Sequence, residues 1–570
     1  QTIADERGYT IDHAGFDAEM KKQREGGAGG SVGDAAIGEV YKKLAQEIPE
    51  VSFLGYDHET ANLNQRDGEW RRENGTLELR TEVKALIQNG ERVQSVSGGE
   101  FEVVLDPTPF YGESGGQVGD RGRLSSESLA VTVTDTQKPV SGITVAKASL
   151  DSGTIEVGTS LWAGYDVNRR LATRAHHSAT HLVHAALRDV LGDHVKQAGS
   201  LNAPDRLRFD FSHFEPTTNE QLREVEDNSN RRVHADDPVV TEVLPFDEAK
   251  EKGAIALFGE KYGDVVRVVT MGNSVEFCGG THSARTGEIE LVLLTREEGV
   301  ASGVRRVEAE VGDAARATVR TLADQLGEAA AILRGEAVES DEPILQAVSK
   351  AVRVFREGAE ALGKDAPKRA LDAPTKPTLS EPVEFSSARA IRDSWNALIR
   401  LSNAKAAEVD AVLDAAGPDA DAGGVASSFA ELARLNREIE RALERSRARA
   451  AADQSGTLLE QVEDVGGVAV LAAVANGVDG KTIRGLADTV RDKLGSGIVA
   501  LGADSGGKAA LLIAVSKDLT DRFQAGKLVK ELAPLIGGRG GGKPDMAQAG
   551  GSDPSGFETL FAKLKEQVRS

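Results

Sequence analysis

A chain of 570 residues with 40% hydrophobic content can bury several cores, which predicts roughly three to five domains and excludes a single small module. A formal charge of −22 excludes general attraction to a polyanion, so nucleic-acid contact has to use local basic patches. One cysteine excludes an intramolecular disulfide framework and fits a reducing, cytoplasmic setting, and the absence of a signal peptide or membrane-length apolar run predicts a soluble protein with no membrane partner. The first residue is Gln and only three Met occur, which reads as a stretch cut from a longer protein.

Residues 1–50 contain the run Gly26-Gly27-Ala28-Gly29-Gly30-Ser31, expected to be a flexible loop. From 51 to 165, Phe101, Val103 and Leu105 alternate with polar neighbours, Val131 and Val133 alternate with Thr, and turn residues recur, predicting strands of a small β-barrel. Between two of them the loop Gly112 to Asp120 could bring its backbone close to a ligand and present the Gln117 amide to it; an ordinary glycine-rich turn would have the same composition.

Four of the ten histidines fall within the nine residues His176 to His184. Leu171, Ala175, Ala179, Leu182, Ala186 and Val190 form a stripe at helical spacing that Gly192 ends, predicting a helix from Arg170 to Leu191. His177 and His181 lie one turn apart on the opposite face and can reach one ion, with His184 on that face as a rival. The sole cysteine follows in Phe277-Cys278-Gly279-Gly280-Thr281-His282, after expected strands Val265–Met271 and Ser274–Phe277. A thiolate with imidazoles is a zinc-type ligand set, here His177, His181, Cys278 and His282 with His184 outside it. Two surface histidines and a buried small thiol remain the plain alternative, and four protein ligands could equally form a closed structural site.

The strand Leu207–Phe211, a strand Ile289–Leu294 and the histidine helix predict a helix packed on an antiparallel sheet over 166–310, with Phe209 and Phe211 in its core. Arg305 and Arg306 suit phosphate or solvated strand-end charge equally well. Residues 311–455 read as helices broken by Pro-bearing linkers such as Pro374-Thr375-Lys376-Pro377, with Leu432, Leu435, Ile439 and Leu443 predicting a helical pair or short coiled coil. From 456 to 570, apolar runs alternate with helical patterns at Thr482–Leu494 and Gly526–Leu535, predicting an α/β globule. Its glycine-rich block Gly537 to Gly551, with Arg539 and Lys543, reads as a loop exposing N–H groups to phosphates, although a flexible tail would look similar. The fold class expected for the whole is α+β and multidomain.

His177-Ser178-Ala179-Thr180-His181 with Cys278-Gly279-Gly280-Thr281-His282 resembles the editing domain of the alanyl-tRNA synthetases. Thr108 to Tyr111 with Gly115 to Asp120, Ala256 to Asp264, Gly303 to Arg306, and Gly537 to Gly551 resemble further blocks of that family, the last its C-terminal (C-Ala) domain. Tyr9 to Phe16 and Met20 to Arg24 resemble the passage out of its helical tRNA-recognition region. The run at Gly26–Ser31, the length of Gly335–Gly424 and the order of Arg539 and Lys543 depart from the family pattern.

The resemblance implies residues 1–50 as the tail of the tRNA-recognition region, 51–165 and 166–310 as the barrel and zinc-containing core of the editing region, 311–455 as the helical segment, and 456–570 as a tRNA-binding and dimerising C-Ala domain. It implies one Zn2+ per chain, tRNA(Ala) as partner, a homodimer, and ATP with Mg2+ for an N-terminal ligase domain whose motifs are not found here. The activity implied for these residues is hydrolysis of serine or glycine from mischarged tRNA(Ala), since a site built for a methyl group rejects a smaller or hydroxylated side chain only weakly. Gln117 would bind the serine hydroxyl or orient water, Thr180 would assist, and Arg305, Arg306, Arg539 and Lys543 would contact tRNA. A free-standing trans-editing deacylase, a phosphoesterase (for which no Asp-His-His motif is found) and a non-catalytic tRNA-binding module with structural zinc are the alternatives.

Overall fold

Period-two alternation in the first third of the chain closes a barrel. In the computed structural model, which describes residues 38–570 except 49, 58–61, 74, 256–261, 368–372, 380–381, 406–407, 417–419, 476–482 and 506, six antiparallel strands form a ring. They are β1 (Thr76–Gln88), β2 (Glu100–Asp106), β3 (Gly122–Ser126), β4 (Leu129–Val140), β5 (Ile143–Ser152) and β6 (Ser160–Tyr165), paired β1–β6–β3–β4–β5–β2 and back to β1. Leu79, Val103, Leu105, Val131, Val133 and Leu161 fill the interior, and closure leaves these strands no exposed edge. Leu44 of α1 (Glu39–Glu47) is buried on an outer wall against Ala85, Val104 and Ile143. The readings over Tyr9–Arg24, Gly26–Ser31 and 256–261 lie outside the described residues.

Helix α2 (Val167–Leu191) leaves the barrel directly after β6. It starts earlier than Arg170 because Asp166 caps it, accepting from Arg169 N at 3.0 Å, and it stops at Gly192, whose φ of 112° suits only glycine. The predicted division into an apolar and a polar face is corrected: Leu171 is 43% exposed, while Arg170, Arg174, His176, His177, His181 and His184 are all buried. Buried charge needs partners. Arg170 forms a forked pair with both Asp120 oxygens and donates to Gly55 O at 2.7 Å and Pro109 O at 2.9 Å, while Arg174 donates to the carbonyls of Gly55, Tyr56 and Asp57. Asp120 also accepts from Tyr111 N at 2.6 Å, so the two ends of the glycine-rich loop close on the helix.

Beside α2 stands a sheet of β7 (Gln197–Asn202), β8 (Leu207–Ser212), β12 (Val292–Ala301) and β13 (Val304–Val311), ordered β7–β8–β13–β12. A three-stranded sheet follows of β9 (Val239–Pro245), β10 (Val265–Met271) and β11 (Ser274–Phe277). Phe209 and Phe211 are fully buried with Leu182, Val183 and Val225 of α3 (Asn219–His234). The expected strand Ile289–Leu294 is corrected: Thr286–Ile289 is a 3-10 turn and Glu290 sits at φ 64°, so the strand begins only at Val292.

The chain divides into two compact units, one comprising 1–331, 374–403 and 410–427, the other 332–373, 404–409 and 428–570. The Pro-bearing stretch holds helices α5 (Pro343–Leu362) and α6 (Phe385–Asn403) between α4 (Gly312–Arg334) and α7 (Val425–Leu459). Within the second unit, Leu432, Leu435 and Ile439 are buried, and Gly358 of α5 leaves room for the Ile439 side chain. A six-stranded sheet completes that unit, ordered β14 (Glu463–Val465), β15 (Val468–Val474), β16 (Ile498–Ser505), β17 (Lys508–Val515), β19 (Met546–Gly551) and β18 (Arg539–Gly542), with one parallel pair, β15–β16. Helix α8 (Ile483–Leu494) belongs to the core of one face, α9 (Ala525–Leu532) and α10 (Phe557–Arg569) to that of the other. The loop expected over Gly537–Gly551 is corrected: Arg539–Gly542 pairs with Ala547–Gly550 as an edge hairpin, so part of its N–H groups serve the sheet. Among the described residues no helix is long and apolar enough to cross a membrane.

Replacing Arg170 with Met should leave the Asp120 carboxylate buried without its cation and destabilise the first unit by about 3–5 kcal/mol. Urea unfolding followed by tryptophan fluorescence, to which Trp162 on β6 contributes, checks this; Asp120→Asn in the same chain should recover part of the loss.

Candidate metal centre

His177, His181, Cys278 and His282 converge, with their ligand atoms all within 4.8 Å of one another. Helical spacing stacks the first two rings at 5.6 Å, and the turn after β11 brings the other two against them. Gly280 is required there: a Cβ at that position would overlap the His177 ring. His177 Nε2 and His282 Nε2 each lie 3.3 Å from Cys278 Sγ.

Each imidazole is held from behind. His177 Nδ1 donates to Gln117 Oε1 at 2.8 Å, His181 Nδ1 to Glu276 Oε2 at 2.9 Å, and His282 Nδ1 lies 3.2 Å from Ser178 Oγ. All three therefore turn Nε2 toward the common centre, and His181 Nε2 is buried with no hydrogen-bond partner. Three aimed nitrogens, one of them orphaned, and a sulfur in mutual contact fit a tetrahedral zinc-type ion. Burial opposes ionisation of the Cys278 thiol, but the surrounding His177, His282 and His181 hold it well below its ordinary range, as a thiolate. Burial pushes His282 down to about 3, whereas at His181 the Glu276 carboxylate and the thiolate outweigh burial and lift it to about 10. A cation among these atoms would take the place of the His181 proton. His184 stays out of the group: its Nδ1 lies 3.1 Å from Glu276 Oε1 and its ring packs against Phe209 with centroids 5.1 Å apart.

Gln117 stands directly behind His177. Its amide is fully buried and engaged at both ends: Nε2 donates to Thr281 Oγ1 at 2.9 Å, and Oε1 accepts from Thr281 N at 2.9 Å as well as from His177. It positions a ligand and the ligand turn. The loop that carries it is stitched to β7, Val118 N donating to Asn202 O at 3.1 Å and Asn202 N to Gly116 O at 2.7 Å.

Beside the centre opens a cleft of about 270 Å³ whose lining includes His177, His181 and Cys278 together with Thr180, Gln197, Ser200 and Arg267. Thr180 Oγ1 lies 2.6 Å from Asn202 Oδ1 and 3.0 Å from His176 O, so its hydrogen is committed and its free lone pair is an acceptor. Gln197 and Ser200, linked at 3.1 Å, were missed in the sequence because strand polar residues carry no motif until the fold sets them beside the metal ligands.

Family models match three stretches: "tRNA synthetases class II (A)" over 1–169, "Threonyl and Alanyl tRNA synthetase second additional domain" over 266–308, which contains Cys278 and His282, and "DHHA1 domain" over 467–570. The alanine–tRNA ligase of Anaeromyxobacter dehalogenans (strain 2CP-C) is 41% identical over 567 residues, 99% of this chain and 51% of its own length. That of Myxococcus xanthus (strain DK1622) is 38% identical over 574 residues, 100% of this chain and 53% of its own. The chain belongs to the alanine–tRNA ligase family. It spans about half the length of the curated relatives it matches. The crystal structure of the C-Ala domain from Aquifex aeolicus alanyl-tRNA synthetase is 31% identical and covers 19% of this chain and 98% of that one, with a TM-score of 0.19.

Of the basic residues singled out in this family member, Arg305 is ion-paired with Glu297 and Arg306 with both Asp210 oxygens at 2.6 and 2.8 Å, which commits both to carboxylates on neighbouring strands. Arg539 and Lys543 are exposed at the edge hairpin.

If Gln117 fixes His177, Gln117→Ala should weaken zinc binding by about 10–100-fold, as losses of such supporting hydrogen bonds do. Competition against a chromophoric chelator measures this, and an unchanged affinity contradicts the role.

Proposed function

We propose that this chain carries the editing half of an alanine–tRNA ligase and hydrolyses the ester of tRNA(Ala) mischarged with serine or glycine, within a protein that joins alanine to tRNA(Ala) using ATP and Mg2+. The observation that supports it is the convergence of three aimed imidazoles and a thiolate at the wall of a cleft lined by hydroxyl and amide groups. Zinc bound there supplies a fixed positive charge and geometry for the end of the substrate. Four protein donors fill a tetrahedral shell, which favours positioning over activation of a metal-bound water.

Selection and hydrolysis then fall to the chain's own polar groups. Thr180 Oγ1 accepts from the serine hydroxyl, and Gln197 with Ser200 orients water toward the ester carbonyl. Alanine has no hydroxyl to make this bond, a difference of about 0.5–1.5 kcal/mol that disfavours alanyl-tRNA. Arg539 and Lys543 hold phosphates of the tRNA backbone, which adds affinity without sequence information.

The test is deacylation of Ser-tRNA(Ala) and Ala-tRNA(Ala) by the zinc-loaded chain. Seryl ester should be hydrolysed at least about tenfold faster than alanyl ester, and Thr180→Val should slow seryl hydrolysis by about tenfold, equivalent to about 1.4 kcal/mol in the barrier, with zinc retained. A zinc-loaded chain that turns over neither ester is a tRNA-binding module with structural zinc, and the reading fails.

A further inference from the structure

Arg267 on β10 is, among the described residues, the one arginine or lysine in the lining of the cleft. Both Nη1 hydrogens are engaged, on Cys278 O at 3.0 Å and Gly280 O at 2.7 Å, so the guanidinium spans the turn that carries the thiolate. One Nη2 hydrogen reaches Thr241 Oγ1 at 3.3 Å. The Nε hydrogen and the other Nη2 hydrogen have no partner among the described residues, and no carboxylate pairs with this arginine there. Its plane is fixed from the other side by the Tyr56 ring, 4.3 Å from Cζ, and Tyr56 in turn donates from its hydroxyl to Gly279 O at 2.9 Å. An immobilised, uncompensated guanidinium at a cleft is poised for an anion.

We propose that Arg267 binds the 5′-phosphate of the terminal adenosine whose ribose carries the aminoacyl ester, a reading that rests on the proposed function. The ester and that phosphate sit on the two sides of one ribose, and Arg267 is one hydrogen bond from the residue bearing the Cys278 thiolate. A substrate whose ester lies at the metal centre therefore brings this phosphate within reach of the two unspent donors. Arg267 is on this account a substrate-binding residue that reads the backbone, and it raises the affinity of every nucleotide ester whatever its amino acid.

The experiment compares 2′(3′)-O-seryl-adenosine with 2′(3′)-O-seryl-adenosine 5′-monophosphate as substrates for the zinc-loaded chain and for its Arg267→Met and Arg267→Lys variants. The parent should prefer the phosphorylated ester in kcat/KM by roughly tenfold to a hundredfold, expressed in KM. Arg267→Met should bring that ratio to near one, and Arg267→Lys should restore part of it. Zinc content and the thermal midpoint, measured on each variant, show whether the turn still forms. Equal losses on both esters with the ratio kept, or zinc loss that accounts for the whole effect, would reduce Arg267 to a clamp on the turn and overturn the proposal. A parent that discriminates by phosphate through a ratio unaffected in Arg267→Met overturns it as well, while a parent that hydrolyses neither ester removes the underlying reading and this proposal with it.

Discussion

Two buried guanidiniums, Arg170 and Arg174, anchor the stretches of chain that reach the candidate metal ligands from the barrel side. They project from the same helix as His177 and His181 and gather three separate stretches of chain: Asp120 of the glycine-rich loop, Pro109 before it, and the segment Gly55–Asp57. Each contact has a consequence at the centre. Asp120 sets the loop that carries Gln117, and Gln117 sets His177 and Thr281; Gly55–Asp57 carries Tyr56, which holds Gly279 and stacks on Arg267. A buried arginine is costly unless it finds acceptors, so the contacts of Arg170 with Asp120, Gly55 and Pro109 favour one arrangement of these stretches.

The metal centre follows the same logic at the next level. An imidazole can present either nitrogen, and which one faces the ion depends on what the other donates to. Gln117, Glu276 and Ser178 make that choice for the three histidines. Glu276 makes it twice, engaging Nδ1 of both His181 and His184. On the cleft side, Thr180 lies 2.6 Å from Asn202 Oδ1 and Gln197 donates to Ser200 at 3.1 Å, and the first of these contacts links α2 to the first strand of the adjoining sheet.

The ligand set was legible in the sequence because helical spacing and a unique cysteine confine its choices, and the barrel because alternation at Phe101, Val103 and Leu105 is a local signal. The supporting residues were not. Glu276 reads as a polar residue alternating in a strand, and Gln117 as a free amide on a loop; only the approach of segments 92 to 164 residues apart shows the one bridging two histidines and the other bonded to Thr281. The glycine-rich block near the C-terminus misled for a related reason, since glycines compatible with a loop are equally compatible with an edge strand lying close on its neighbour, as Gly540 and Gly542 do on Ala549 and Ala547. The burial of Arg170, Arg174 and the four histidines of α2 was hidden because polar residues look solvent-directed until their partners are known.

The account stands on a thiolate and three Nε2 atoms sharing one ion. X-ray absorption at the zinc edge of the purified chain measures this directly: it should give one sulfur at about 2.3 Å and three nitrogens at about 2.0–2.1 Å, with the sulfur shell lost in Cys278→Ser. A parent spectrum with only nitrogen and oxygen neighbours, or one that Cys278→Ser leaves unchanged, would contradict it.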